Sequence, residues 1–327
     1  MQNKETIGVI GPGRMGAGIA HVFAWAGHSV RLVDLKDRPP DKTGEALLLA
    51  VKRIRTDLEF LSSCGLLDPN IVEEILSKVR CVDRTDAADE LAGVDLIFEA
   101  VPEILAVKQE VLGEVSAWAG RETPIASATS TFRVDVLAEY ITRPERFLNT
   151  HWLNPAYLMP LVEVSPSPET SPNVLRHVMK LLESVGKTPV KCAPSAGFIV
   201  PRIQALAMNE AARLAEEGAA SVEDIDKAVK VGFGLRFAVL GLLEFIDWGG
   251  GDTLYYASRY LREALGTERF EPPEIVVQNM TNGTTGVNAG RGFYDYSTIN
   301  LPQYQEETIR RFVDLLRYMD LLPPLGL

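Results

Sequence analysis

Residues 6–20, TIGVIGPGRMGAGIA, constrain the fold more than any other stretch of this chain. A short apolar run leads into Gly11-x-Gly13-x-x-Gly16, with Arg14 and Met15 inside the triplet, and a helical pattern follows at once. The first glycine permits a tight turn, the second lets the backbone approach a pyrophosphate, and the third allows helix and strand to pack closely. The first N–H groups of such a helix have no intrahelical partner and face the phosphates. The spacing therefore predicts a strand, a turn and a helix at the head of a dinucleotide site built from Gly11, Gly13, Arg14, Met15 and Gly16. Asp34 closes the next strand-like run, eighteen residues after Gly16. A carboxylate there accepts hydrogen bonds from the adenosine ribose and repels a 2′-phosphate, which favours NAD over NADP. Lys36 and Arg38, close by, pull the other way. The competing reading is a βα turn that holds no ligand.

Up to residue 193 the chain alternates β-rich runs with helical patterns, as a doubly wound α/β parallel sheet requires. Strands are expected at Thr6–Ile10, Ser29–Asp34, Asp95–Val101, Pro124–Ser127, Phe147–His151, Leu161–Val164 and Thr188–Cys192. Helices are expected at Arg14–Ala26, Thr43–Ser63, Asn70–Lys78 and Pro172–Val185. After Ala193-Pro194-Ser195-Ala196-Gly197 the apolar spacing becomes helical, so residues 194–327 are expected to form a smaller all-α domain. Ser221, followed by Glu223 and Asp224, reads as a helix start. Tyr304–Leu322 reads as an amphipathic helix with Ile309, Phe312, Val313, Leu316 and Met319 on one side.

At 327 residues the chain is long enough for two domains. Its formal charge of −11, with no block of Lys and Arg, argues against nucleic acid or an anionic membrane as partner. The three cysteines, Cys64, Cys81 and Cys192, are scattered, so no disulfide or zinc framework is expected and no metal is assigned. No cationic, apolar leader precedes the first strand and no apolar run reaches spanning length, so the cytoplasm is the expected compartment.

Few histidines are available for chemistry, four in all. One lies in NTHWLNPAYLMPLVEV, residues 149–164, where Glu163 follows His151 inside an apolar run. Oxidising a secondary alcohol needs a base for the hydroxyl proton, and imidazole titrates near working pH. A carboxylate on the other ring nitrogen fixes the tautomer and stabilises the imidazolium. Strand ends joined by a short connection can bring two residues twelve apart face to face, and a buried glutamate needs a partner. The plain alternative for His151 is a structural histidine at a strand end. His21, His28 and His177 are assigned structural or surface places.

VIGPGRMGAGIA, LVDL, FEAVPEILAVK, ASATSTF, THWLNPAYLMPLVEV and AGFIVPR occur in the order and spacing of the 3-hydroxyacyl-CoA dehydrogenase family, which the chain resembles as far as GRGFYDY at residues 291–296. The resemblance implies a Rossmann-type NAD-binding domain, a helical domain for substrate and dimerisation, and an oxidoreductase acting on an L-3-hydroxyl. It implies His151 as catalytic base, Glu163 as its partner, and Ser130 in contact with substrate and cofactor. Glu103, Lys108 and Asn154 fall on positions near the cofactor, and a homodimer is expected by the same route, with LLEFIDW and IQALAM as apolar surface.

Several positions depart from the acyl-CoA pattern: Pro201 replaces an asparagine in AGFIVPR, Pro160 a lysine, and Asn288 a lysine, while GLRFAVLG brings in Arg236. The last three, with the added C-terminal helix, make the chain look more like the branch holding lambda-crystallin and carnitine 3-dehydrogenase, which oxidise small free 3-hydroxy acids. Arg236 is then expected to hold a substrate carboxylate through paired hydrogen bonds. A coenzyme A thioester stays open through Lys52, Arg53 and Arg55 on the long crossover helix. Pro201 keeps open a second class of function, a non-catalytic NAD-binding or structural protein.

Overall fold

The computed structural model describes residues 4–39, 42 and 44–322. Contacts divide the chain into two compact units, Met1–Ala207 and Met208–Leu327. The first unit therefore takes in residues 194–207 beyond the change of texture at residue 193.

Eight strands build the first unit: β1 (Thr6–Ile10), β2 (Ser29–Val33), β3 (Val79–Val82), β4 (Leu96–Glu99), β5 (Ile125–Ser127), β6 (Phe147–Trp152), β7 (Leu161–Pro166) and β8 (Thr188–Lys191). They form one sheet in the order β3-β2-β1-β4-β5-β6-β7-β8. Its helices are α1 (Arg14–Trp25), α2 (Glu45–Ser63), α3 (Val72–Ser77), α4 (Ala87–Ala92), α5 (Leu105–Trp118), α6 (Val134–Ala138) and α7 (Pro172–Ser184). Both faces of the sheet are covered. One face packs Ile7, Val9 and Leu32 with α1, α2 and α7, and the other packs Ile10, Val33 and Ile97 with α4, α5 and α6. Burial on both faces explains why the strands read as near-continuous apolar runs rather than alternating ones.

The doubly wound parallel sheet holds for the first six strands. β6 and β7 then pair antiparallel, and β8 runs parallel to β7, so the last two strands are reversed. β3 carries no expectation from the sequence. It is a four-residue edge strand whose Arg80 and Cys81 are exposed, so it lacks an apolar pattern. The long crossover helix is described from Glu45; Thr43, its expected start, lies outside the described residues.

Helix α8 (Val200–Glu216) spans the division between units, and the second unit continues with α9 (Val222–Ala228), α10 (Leu235–Val239), α11 (Leu242–Gly249), α12 (Gly251–Leu265), α13 (Glu274–Thr281) and α14 (Leu301–Tyr318). A π-helical turn, Val229–Gly234, joins α9 to α10. Ser221 caps α9 as expected, its hydroxyl accepting from the Asp224 N–H at 3.1 Å. Gly250, with φ of 92°, separates α11 from α12 within a stretch that reads as one apolar pattern. α14 starts earlier than its periodicity suggests, at an Asn300 cap with Pro302 in the first turn. Of its expected apolar side Phe312, Val313 and Leu316 are half-buried, along with Tyr304 and buried Thr308, while Ile309 and Met319 stay exposed. No helix among the described residues is long and apolar enough to cross a membrane.

His21 sits within the first unit, fully buried on α1, stacked on Tyr157 at 4.8 Å and on Trp25 at 5.7 Å. Neither ring nitrogen finds a hydrogen-bond partner among the described residues. Burial, and then the charge of Lys187, push its pKa down to about 4. The unfolded chain therefore binds a proton here that the folded chain refuses. The stability carried by neutral His21 is complete above about pH 6.5 and is lost as pH falls towards about 4, at roughly 1.4 kcal/mol per pH unit. His21→Phe, which keeps a flat ring, is expected to flatten the fall of unfolding free energy between pH 6.5 and 4 relative to the unaltered chain, as read by urea titration. Identical slopes for the two proteins would disprove this assignment.

Candidate active site

The turn after β1 meets each demand of a dinucleotide site. Gly11 has φ of 98°, and a β-carbon there would lie 2.8 Å from the Ala100 carbonyl oxygen. A β-carbon on Gly16 would fall 1.9 Å from the Gly11 carbonyl oxygen, so that contact leaves no room for a side chain. One on Gly13 would meet nothing within 4 Å, because Gly13 faces a cleft. No side chain caps α1 and no acidic residue lies in its first turn, so its opening N–H groups are left for an anion. Arg14 is exposed and makes no ion pair among the described residues.

A cavity of about 870 Å³ opens here, lined by Gly11, Gly13, Arg14, Met15, Asp34 and, from beyond β4, Val101 and Ile104. Asp34 is nearly buried where β2 ends. Its Oδ2 accepts from Arg38 Nε at 2.6 Å and its Oδ1 from the Lys36 N–H at 3.2 Å. These two bonds leave acceptor capacity for a ribose diol. The residues present therefore fit NAD: a backbone anion site at one end and a ribose acceptor at the other.

Two carboxylates tie the strand ends beyond the glycine turn. Glu99, fully buried at the end of β4, accepts from Lys108 Nζ at 2.8 and 3.1 Å, from Ser127 Oγ and from the Val101 N–H. Lys108 is enclosed and also lies 3.4 Å from Glu103. Glu103 Oε1 accepts from the Ser130 and Thr131 N–H groups and from the Thr129 and Thr131 hydroxyls. Burial opposes its charge, but the bonds from Thr129 and Thr131 and the charge of Lys108 outweigh that and hold its pKa below the ordinary range. Ser130 is exposed on the loop that Glu103 fixes. Lys108 Nζ also donates to the carbonyl of Val101, which lines the cavity, at 3.5 Å.

The β6–β7 pair places His151 directly opposite Glu163 in register. His151 Nδ1 lies 2.7 Å from Glu163 Oε2, both side chains being buried. An ionised carboxylate only accepts, so Nδ1 carries the proton and Nε2 keeps its lone pair. Glu163 Oε1 accepts from the Ile199 and Val200 N–H groups at 2.7 and 2.9 Å, at the opening of α8. Phe198, with φ of 47°, stacks on the His151 ring. Pro201 is the second residue of α8, where a missing N–H leaves no bond unmade. Asn154 is exposed on the loop joining β6 to β7.

The sequence pattern of the 3-hydroxyacyl-CoA dehydrogenase NAD-binding domain matches residues 6–195, and that of the 3-hydroxyacyl-CoA dehydrogenase C-terminal domain matches residues 197–296. The chain belongs to the 3-hydroxyacyl-CoA dehydrogenase family. It is accordingly an NAD-dependent oxidoreductase of the 3-hydroxyacyl-CoA dehydrogenase type. It is 36% identical over 289 residues to the mitochondrial hydroxyacyl-coenzyme A dehydrogenase of Sus scrofa, covering 88% of this chain and 90% of that one. A crystal structure of a 3-hydroxyacyl-CoA dehydrogenase from Archaeoglobus fulgidus superposes with a TM-score of 0.76 at 34% identity, covering 97% of this chain and all of that one. The 5-formyl-3-hydroxy-2-methylpyridine 4-carboxylate 5-dehydrogenase of Mesorhizobium japonicum is 29% identical over 317 residues, 97% of this chain and 98% of that one.

Sequence reasoning missed Glu99, Phe198 and the two N–H donors at residues 199 and 200. Glu99 carried a readable signal, the same carboxylate within an apolar run that marks Glu163. The other three depend on how the chain turns into α8 and leave no pattern in composition.

The glycine geometry separates folding from cofactor binding. Gly13→Ala is expected to fold with an unchanged thermal midpoint and to bind NAD at least tenfold more weakly in a fluorescence titration. Gly16→Ala is expected to lower the midpoint itself. Equal midpoints in the two variants would contradict this division.

Proposed function

We propose that the enzyme oxidises the 3-hydroxyl of a small free 3-hydroxy acid, with His151 as general base and Glu163 as the carboxylate that orients it. The observation that carries this reading is the 2.7 Å bond between a buried histidine and a fully buried glutamate that also accepts two backbone N–H groups. NAD, held by the glycine turn and Asp34, would supply the acceptor for the hydride of the carbinol carbon. His151 Nε2 takes the hydroxyl proton as the C–H bond breaks, and the alcohol becomes a ketone. Glu163 holds Nδ1–H and stabilises the imidazolium formed, as in other histidine–carboxylate pairs. Ser130, on the loop braced by Glu103, supplies a hydroxyl to the substrate oxygen. Asn154 takes the nicotinamide side. His151→Gln is expected to lower turnover at least a thousandfold while leaving NAD affinity within about threefold, because the base is absent and the glycine turn is not. Retained turnover in that variant would remove His151 from the mechanism.

Arg236 supports the free acid. It is exposed on α10, donates from Nε to the Gly232 carbonyl at 3.0 Å, and sets its guanidinium 5.3 Å from the Phe245 ring centre. It makes no ion pair among the described residues, so its remaining donors suit a carboxylate. The Mesorhizobium relative, which matches nearly end to end, is named for a carboxylate substrate. The thioester reading has its own support: the porcine and Archaeoglobus relatives are named for CoA substrates, and Lys52 and Arg53 are exposed on α2 without ion-pair partners among the described residues, whereas Arg55 is bound to Glu73. An NADH assay across 3-hydroxybutyryl-CoA, gulonate and carnitine separates them. Arg236→Ala is expected to raise KM for a carboxylate substrate about tenfold or more with kcat little changed. An unaltered KM would discard Arg236 as the carboxylate anchor.

A further inference from the structure

A hydrogen bond at Nδ1 fixes one edge of the His151 ring but leaves the ring free to tilt about the line between nitrogen and carboxylate. The second constraint is on its face. The Phe198 and His151 ring centroids are 4.9 Å apart and their planes differ by 17°, and Phe198 is buried. Two constraints in different directions define a plane.

The backbone shows that this contact is held at a cost. Phe198 has φ of 47°, in the left-handed region that a bulky side chain rarely adopts, directly after Gly197 with φ of 75°. An apolar residue needed only to fill space would not require that conformation. The reversal has a second product. The next two residues, Ile199 and Val200, present their N–H groups to Glu163 Oε1. One short segment therefore sets both the tilt of the imidazole and the position of its carboxylate.

We propose that Phe198 is a positioning residue for His151, its ring fixing the imidazole plane so that Nε2 meets the substrate hydroxyl at one angle while water is kept from that face. This rests on the reading of His151 as the base. A base displaced by a small rotation loses rate without losing substrate affinity, by roughly ten- to a hundredfold.

The test compares flat and non-flat side chains of similar bulk in the full-length enzyme. Phe198→Leu, with Phe198→Met as a second ringless variant, is expected to lower kcat by about tenfold or more, with KM for the hydroxy substrate and Kd for NAD each within about twofold. Phe198→Tyr is expected to recover kcat to within about threefold. Thermal midpoints measured alongside identify any variant whose loss is one of folding. Wild-type kcat in a ringless variant, or equal losses in the ringless and Tyr variants, would overturn the proposal. His151→Gln, assayed in parallel, separates the two levels. If it is inactive while the ringless variants are fully active, only the role of Phe198 falls; if it retains turnover, the reading beneath falls as well.

Discussion

The buried carboxylate of Glu163 is the constraint around which this end of the sheet is organised. A carboxylate with no exposed surface is costly by several kcal/mol unless charge and hydrogen bonds surround it. Here the compensation comes from two directions, the imidazole of His151 on β6 and the opening N–H groups of α8. Neither can be supplied by β7 itself. The antiparallel β6–β7 pairing is what sets His151 opposite Glu163, and a slip of one residue would turn either side chain to the other face. The reversal of the last two strands is thus part of the site, not an irregularity of the sheet.

The same device recurs one layer along. Glu99 binds Lys108 and Ser127, and Glu103 binds the Thr129–Thr131 loop, so buried or half-buried carboxylates fasten the ends of β4 and β5. The glycine turn follows β1 and Asp34 follows β2. In doubly wound sheets, ligands bind beyond the carboxyl ends of the parallel strands. Asp34, Glu99, Glu103, Ser130 and His151 lie at or just beyond that edge. Its strand ends and loops are braced by bonds among the chain's own residues, an arrangement suited to a preorganised site.

What was legible in the sequence follows from how local each signal is. The glycine turn, the buried strands and the Ser221 cap are fixed by a few adjacent residues, and they lie where spacing puts them. The facing of His151 and Glu163 was inferable because twelve residues just suffice for two strand ends and a connection. β3 was not legible, since an edge strand with exposed Arg80 and Cys81 has no apolar periodicity. Nor was the break at Gly250, where the apolar pattern continues across a turn set by one positive φ. Phe198 was hidden for a related reason. Its importance comes from a backbone conformation and a ring contact formed across the fold, and a phenylalanine in an apolar run announces neither.

Pro201 gains a different meaning once the carboxylate is placed. Against the acyl-CoA pattern it reads as a lost polar group, and hence as an argument for a protein without catalysis. In the first turn of α8, however, a proline removes only an N–H that the helix does not use, and its fixed φ suits that position. The two N–H groups that Glu163 needs belong to Ile199 and Val200, immediately before it. The departure therefore leaves the hydrogen bonds of His151 and Glu163 intact. Asn288 and Arg236 both lie in the second unit, and the latter makes no ion pair among the described residues. Pro201 is therefore no sign of lost hydrogen bonding at His151 and Glu163, and a fold can keep such a buried pair while its other positions vary.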